Sequence, residues 1–532
     1  MTQAGPLSRA EQTSFEETSR YEDVRSFIDA LGRETPKMRV ETFGRSEEGR
    51  ELPLLIVGDP PAVAAVQGSR PLPVVFVMAN IHAGEVEGKE AVLHLARRLT
   101  LGDLQSLARS AVWLFAPIYN ADGNEKISSD NRFEQNGPIG GVGTRENSKG
   151  LDLNRDFMKL ESSEARALVA LFTRWDPDVV VDLHTTNGSY HGYHLTYAPP
   201  LNPNTGGRLN AFERTRLLPA VREAMRARGW QTFDYGNFAI AESIEEELDR
   251  FAPGESRQKV WRTYDPRPRF GNSYMGLRNR MAVLSEAYSY LDFEQRVKVT
   301  EAFVEEIMRF VAAHADDVRS LTASVDAEWA SGAAPREQGV AFALRPLPSP
   351  VDILVGDVGT MANPRSGKPM KTMLERAVMP TSMSVFDGFM ATATRPLPQE
   401  YLIPASASGA HQSVVRLLNA HGIEVEQLVS SQHVVVDRFV VDRVDRAERA
   451  FQGHHETAVS GRFERTDVEI PGGSIVVRTN QPLGRLVFYL LEPESNDGLT
   501  TWNVFDEGLA AGRPHPVLKS ALGQVLQTRL FR

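Results

Sequence analysis

Buried-type strands alternating with amphipathic helices predict an α/β protein with a mixed, largely parallel central sheet flanked by helices. Three observations carry this. The run PVVFVMAN (73–80) is continuously apolar, as a strand covered on both faces must be, and AVWLFAPIY (111–119), DVVVDL (178–183) and MAVLS (281–285) read as further buried strands. Residues 89–99, 162–175 and 299–313 repeat apolar side chains at helical spacing. A chain of 532 residues also exceeds what one core usually supports, so more than one domain is expected.

In chain order, residues 21–31 predict a helix with Val24, Phe27, Ile28 and Leu31 on one face. The stretch RVETFGRSEEGRELPLLIVG (39–58) predicts a hairpin turning at Glu47, Glu48 and Gly49. The Gly-rich GPIGGVG (137–143) lacks the Lys-Ser/Thr of a phosphate-binding loop. The α/β domain is expected over residues 1–320, followed by an Ala-, Pro- and Gly-rich linker over 321–350. Residues 351–532 predict a β-rich accessory domain. QEYLIPAS, a helix through 413–420 and GIEVEQL give a βαβ-like unit, and DVEIPGGSIVVRTN and GRLVFYLLEP read as strands.

The net charge of −10 argues against a nucleic-acid partner, which calls for a basic patch. Without cysteine there are no disulfides, thiolate ligands or cysteine nucleophile, so any metal must be held by His and carboxylate. No run reaches the about 20 apolar residues of a membrane helix. The polar first residues contain no signal-peptide apolar region. A periplasmic or secreted location is expected if a leader was trimmed, and a cytoplasmic one otherwise.

His82 and Glu85 follow directly on the strand PVVFVMAN, where side chains reach the crevice in which α/β proteins bind ligands. His184 ends the strand VVVDLHTT in the same manner. Two His and one Glu at strand ends are the donor set of an open catalytic zinc site with its fourth position left to water. Asp182 is placed to orient a ligand from behind. Asn154 and Arg155, in GLDLNRDF, are suited to gripping a carboxylate. Arg145 is a candidate to stabilise an oxyanion, with Arg132 competing for the role. Glu286, at the end of the strand MAVLSEAYSY, is a candidate general base, because burial raises a carboxyl toward the range a base needs. His454 and His455 read as surface histidines.

In this order GRSEEGREL, HAGE, NADGNE, GLDLNRDF, VVVDLHTT and VLSEAYSY resemble the M14, carboxypeptidase A-like family of zinc carboxypeptidases, over residues from about 21 to 310. The resemblance implies a mixed sheet of about eight strands. It implies one Zn²⁺ held by His82, Glu85 and His184, and a peptide substrate whose free terminal carboxylate is held by Asn154 and Arg155. It also implies Arg145 on the scissile carbonyl and Glu286 as base and proton shuttle. The family's tyrosine over the substrate is not fixed by a motif here. Tyr264 is preferred to Tyr274. The floor of the pocket for the terminal side chain falls near Gly271 to Ser273, with Arg278 and Arg280 candidates to favour acidic side chains or else surface charges. The C-terminal part resembles the extra domain of a bacterial branch.

The expected activity is removal of C-terminal residues from peptides by zinc-activated water. The alternative is a zinc-dependent N-acyl amino acid deacylase of the aspartoacylase and succinylglutamate desuccinylase kind, against which the long accessory domain speaks. A non-catalytic binding protein is disfavoured by the intact set of ligands, base and arginines.

Overall fold

The structure is a computed structural model that describes residues 5–58, 71–205, 207–240, 259–405, 410–520 and 526–531. Residues 1–4 of the polar N-terminal stretch and Ser406 of QEYLIPAS lie outside these. Strands β1 (Met38–Arg45), β2 (Glu51–Val57), β3 (Val74–Ala79), β4 (Val112–Ala116), β5 (Val179–Thr185), β6 (Leu195–Ala198), β7 (Thr232–Asp234), β8 (Asn237–Ile240), β9 (Lys259–Arg262) and β10 (Met281–Ala287) come first. All but β8 and β9 form one eight-stranded sheet in the order β1-β2-β4-β3-β5-β10-β6-β7. Its centre, β4-β3-β5-β10, is parallel, while β1, β2 and β6 pair antiparallel with their inner neighbours. The apolar runs are the central strands. Every residue of β3, β4 and β5 is buried, as two covered faces demand.

Alternation along β5 sets up the site. Leu183 points to one face and packs on the helix Glu87–Thr100 at Gly88. Val180, Asp182 and His184 point to the other, over which the helices Ser163–Trp175 and Gly271–Leu277 lie. In β10 the register sets Leu284 beside Asp182 and Glu286 beside His184, so these four side chains share a face. β3 ends at Ala79, and the φ of +65° at the next residue, Asn80, turns the chain toward His82, a conformation Asn tolerates better than most residues.

The C-terminal half departs from expectation in two places. Residues 321–350 are not a linker. The helix Ala315–Ala330 runs into them, and Glu337–Pro346 forms strand β11. The Ala-Pro-Gly composition had masked the apolar residues Val340, Phe342 and Leu344, which strand alternation uses. After β11 come β12 (Val351–Val355), β13 (Val358–Ala362), β14 (Pro369–Met373), β15 (Met379–Met383) and β16 (Val385–Pro396). β16 pairs with both β11 and β9, giving a second sheet in the order β11-β16-β9-β8. A strand from beyond residue 350 thus stiffens two strands from before residue 265.

The last sheet is β-rich as expected. It contains β17 (Glu400–Ile403), β18 (Glu426–Leu428), β19 (Gln432–Arg446), β20 (Thr457–Ile470), β21 (Ile475–Arg478), β22 (Pro514–Ser520) and β23 (Thr528–Leu530). β17 and β18 both run antiparallel to β21 between them, with the helix Ala410–Ala420 connecting them, as the βαβ-like reading anticipates. GRLVFYLLEP, by contrast, is not a strand. Gly484–Leu491 is a helix buried on every side. A short apolar run without periodicity fits either element. Packing decides it here, since Arg485 lies over the Trp329 ring at 5.2 Å and donates to the Gly276 carbonyl at 3.1 Å.

The approach of the helix Glu87–Thr100 to β3 and β5 is testable at Gly88. A Cβ there would sit 2.7 Å from that of Leu183 and 3.3 Å from that of Ala79. Gly→Ala within a helix ordinarily stabilises by about 1 kcal/mol, but overpacking costs about 1–3 kcal/mol. Gly88→Ala is expected to lower the denaturant midpoint. A raised midpoint would show that the strands carrying the site yield easily.

Candidate active site and metal centre

His82, Glu85 and His184 come together at the carboxyl ends of β3 and β5. One ligand-type atom from each lies within 4.8 Å of the other two, and all three residues are buried. Glu85 reaches both imidazoles. His82 Nδ1 is 3.0 Å from its Oε1 and His184 Nδ1 is 2.9 Å from its Oε2. The far nitrogens face carboxylates. His82 Nε2 lies 3.1 Å from Asp152 Oδ1. His184 Nε2 lies 2.9 Å from Asp182 Oδ2, close enough for ion pairing but off the hydrogen-bond axis. A carboxylate behind each imidazole fixes which nitrogen faces inward, as in built zinc sites. The donor set of two nitrogens and a carboxylate oxygen, converging from two strand ends, fits Zn²⁺. Among the described residues no other three His, Asp or Glu side chains are drawn together in this way. His454 instead contacts Glu161 at 2.7 Å and Asn503 at 3.0 Å.

The loops are fastened to one another. The Ala83 N–H donates to the Thr144 carbonyl at 3.0 Å and the Gly143 N–H to the Ala83 carbonyl at 3.2 Å, which brings Arg145 beside His82. Asn120, in NADGNE, donates to the carbonyls of Ile81 and Arg145. Arg145 Nε donates to Asp152 Oδ2 at 2.9 Å, and its Nη1 lies 3.3 Å from His82 Nδ1. Arg132 pairs directly with Glu85. Both arginines therefore border His82, Glu85 and His184, and the geometry does not choose between them.

The electrostatics follow from burial. Burial alone would raise the Glu85 carboxyl, but Arg132, His82 and His184 together hold it well below the usual range. Burial disfavours charge on His184, yet Asp182 and Glu85 outweigh it and hold the imidazole protonated well above its ordinary value. The Asp152 carboxyl is lowered against burial by His82, Arg145 and Arg155. Glu286 is half-buried on the cleft wall. Burial raises it to about 8, with Glu85 adding to the shift and His184, Arg132 and Arg145 opposing it. Beside a dication the same carboxyl would titrate lower.

These groups line one cleft of about 420 Å³, together with Asn154, Arg155, Tyr235, Asn237, Tyr264, Phe270, Asn272 and Leu284. Arg155 lies over the Phe270 ring at 3.7 Å and donates to the Asn154 carbonyl at 2.8 Å. Burial lowers its proton affinity, so a carboxylate entering the cleft meets a poorly solvated cation. The Asn154 Oδ1 accepts from the Gly271 N–H at 2.9 Å. Tyr264 lines the cleft, its hydroxyl accepting from Asn272 Nδ2 at 3.1 Å. Tyr274 does not; its hydroxyl meets His421 Nδ1 at 2.8 Å, away from the cleft. Tyr235 is a second cleft tyrosine, stacked edge-on against Tyr264 with ring centres 5.4 Å apart.

One expectation is corrected. Arg278 and Arg280 neither enter the cleft nor lie on the surface. Both are buried at the junction with the C-terminal half, where Arg280 pairs with Asp176 and Asp326 and Arg278 donates to the His421 carbonyl. The helix Gly271–Leu277 turns them away from the site, while Asn272 at its start faces in. Sequence reading missed Asp152 as the partner of His82, and Tyr235. The signal for Asp152 was its place in GLDLNRDF; Tyr235 carries none.

Residues 24–205 match a family model described as zinc carboxypeptidase. "Carboxypeptidase 2" of Trichophyton tonsurans is 24% identical over 539 aligned positions, covering 97% of this chain and 89% of that protein. "Carboxypeptidase Z" of Homo sapiens is 33% identical over 134 residues, covering 24% of this chain and 19% of that protein. A solved metallo-carboxypeptidase from Burkholderia cenocepacia superposes with a TM-score of 0.40 at 20% identity, covering 56% of this chain and 70% of that one, a likeness too shallow to add to the assignment. With the ordered motifs meeting at one cleft and similarity to carboxypeptidases along nearly the whole length, the family-model match assigns residues 24–205 to the M14 zinc carboxypeptidase family.

Proposed function

We propose that this protein is a zinc-dependent carboxypeptidase that hydrolyses the last peptide bond of peptides with a free C-terminal carboxylate. The observation that carries the reading is the convergence of His82, Glu85 and His184 beside Glu286, Arg145, Asn154 and Arg155 in one cleft. Zinc, when bound by the three ligands, supplies the Lewis acidity that makes water nucleophilic near neutral pH and polarises a carbonyl. The remaining work belongs to the chain. Arg155 and Asn154 hold the terminal carboxylate, the guanidinium by its planar fork. This seats the scissile carbonyl toward Arg145, whose charge stabilises the developing oxyanion. Glu286 accepts a proton from the attacking water and returns it to the leaving amine. Tyr264 covers the bound side chain. Every group with a named role lies before residue 300.

About one zinc per chain is expected in protein made with the metal available. His82→Ala and His184→Ala should each lose both metal and activity. Because His184 must shed its proton to bind, zinc uptake should release protons and weaken as pH falls. Elemental analysis showing no metal would sink the reading.

Glu286→Gln should keep zinc and lose at least about two orders of magnitude in kcat. Glu286 works as a base only when ionised, so kcat/KM should rise with pH along an acid limb. The midpoint of that limb should lie between the ordinary 4.5 and the metal-free value of about 8. A variant that keeps near-normal turnover, or the same acid limb, would make Glu286 structural.

Rates on a peptide acid, its C-terminal amide and an N-acyl amino acid distinguish the substrate classes. The acid should be cleaved far faster than the amide, and Arg155→Lys, which loses the fork, should weaken cleavage of the acid strongly. Equal rates on acid and amide would remove the exopeptidase reading. Activity confined to the N-acyl amino acid would transfer it to the deacylase.

A further inference from the structure

The carboxylate-binding end of the cleft is held from outside the α/β domain. Three consecutive residues form the link. Arg269 is 2% exposed and is gripped by the C-terminal half. Its backbone N–H donates to Asp497 Oδ2 at 2.6 Å, its Nε donates to Asp497 Oδ1 at 2.9 Å, and its Nη1 pairs with Glu456. Its guanidinium also lies over the Trp502 ring at 4.5 Å, and the Trp502 Nε1–H donates to the same Asp497 oxygen at 3.1 Å. Phe270, the next residue, carries Arg155 on its ring face. Gly271, the residue after that, donates to Asn154 Oδ1. A Cβ at Gly271 would come within 2.7 Å of the Phe157 ring, so the three-residue link has little room to shift.

A second contact reaches the same end of the cleft independently. Gln452 Oε1 accepts from the Asp152 N–H at 3.0 Å across 300 residues of chain. Asp152 in turn touches His82, Arg145 and the Asn154 N–H, the last at 2.9 Å. Gln452 sits at φ +50°, a conformation uncommon outside glycine, which aims its side chain toward Asp152.

We propose that Asp497 and Gln452 are positioning residues that set the orientation of Arg155 and Asn154 toward the substrate carboxylate, Asp497 through Arg269 and Phe270, and Gln452 through Asp152. The inference rests on the carboxypeptidase reading. It assigns the C-terminal half a part in recognition: it fixes the face of Phe270 that the guanidinium lies on and the turn from which Asn154 projects. Among the described residues the Arg155 guanidinium hydrogen-bonds to the neighbouring Asn154 carbonyl alone and stands 4.0 Å from the Asp152 carboxylate, so ring stacking and turn geometry direct its fork. Misplacing such a clamp by about 1 Å is enough to lower kcat/KM by an order of magnitude or more.

The test uses the full-length, zinc-loaded protein, with Asp497→Asn and Gln452→Ala assayed on a peptide acid and its amide. Asp497→Asn should raise KM for the acid roughly tenfold with kcat within about threefold, and should lower the acid-to-amide preference by a similar factor, at unchanged zinc content. Gln452→Ala should do the same about threefold, and Gln452→Glu, which keeps an acceptor oxygen, should recover most of that loss. Contacts that merely hold the halves together would reduce the active fraction, and so the apparent kcat, leaving KM and the acid-to-amide ratio alone. That result in Asp497→Asn, or in Gln452→Ala should the first variant not fold, overturns the inference. A wild type that cleaves acid and amide equally would instead overturn the carboxypeptidase reading itself.

Discussion

A carboxylate buried between two imidazoles and an arginine is the constraint around which this molecule is organised. Glu85 is 3% exposed, and an uncompensated charge at that depth costs several kcal/mol. It is tolerated because His82, His184 and Arg132 close around it. Each of those partners is itself fixed: the two histidines are backed by Asp152 and Asp182, and Arg132 lies across Gly84, where a Cβ would meet its side chain at 2.9 Å. Charges compensated in this reciprocal way hold a site together before any ligand arrives. A divalent cation would take the place of the His184 proton as the positive partner of Glu85.

The sheet supplies the rigidity that such a cluster needs. Parallel strands bury their sides and leave their carboxyl ends open, so the polar residues of β3, β5 and β10 gather at one edge. The alternation that sends Asp182, His184, Leu284 and Glu286 into the cleft also sends Leu183 into a helix behind the sheet. Any shift of one residue in register would exchange the two sets, so core packing and site assembly are specified by the same pattern.

The C-terminal half is less separable than a domain appended to an enzyme. β16 completes the sheet that holds β8 and β9 beside the cleft, and Asp497, Trp502 and Gln452 fasten the segments that carry Phe270 and Asp152. Buried ion pairs such as Arg269–Asp497 are poor sources of net stability, because desolvation offsets most of their attraction. Their value is geometric, since a guanidinium bonded in two directions and set over an indole admits few alternative positions.

The sequence by itself determined the parallel core and brought forward the three ligand-type residues and Glu286, because each is a local pattern: an apolar run and a polar residue where it stops. GLDLNRDF likewise announced Asn154 and Arg155 within a few residues of one another. The partners of these residues were settled only by the tertiary structure. Asp152 behind His82, Arg132 on Glu85, Tyr235 beside Tyr264 and the burial of Arg278 and Arg280 away from the cleft depend on residues distant in the chain, and a local motif such as GLDLNRDF can mark a residue without naming its partner. The same holds for β11 and for the helix Gly484–Leu491. A composition typical of linkers and a period-free apolar run each fit more than one local structure, and what they pack against makes the choice.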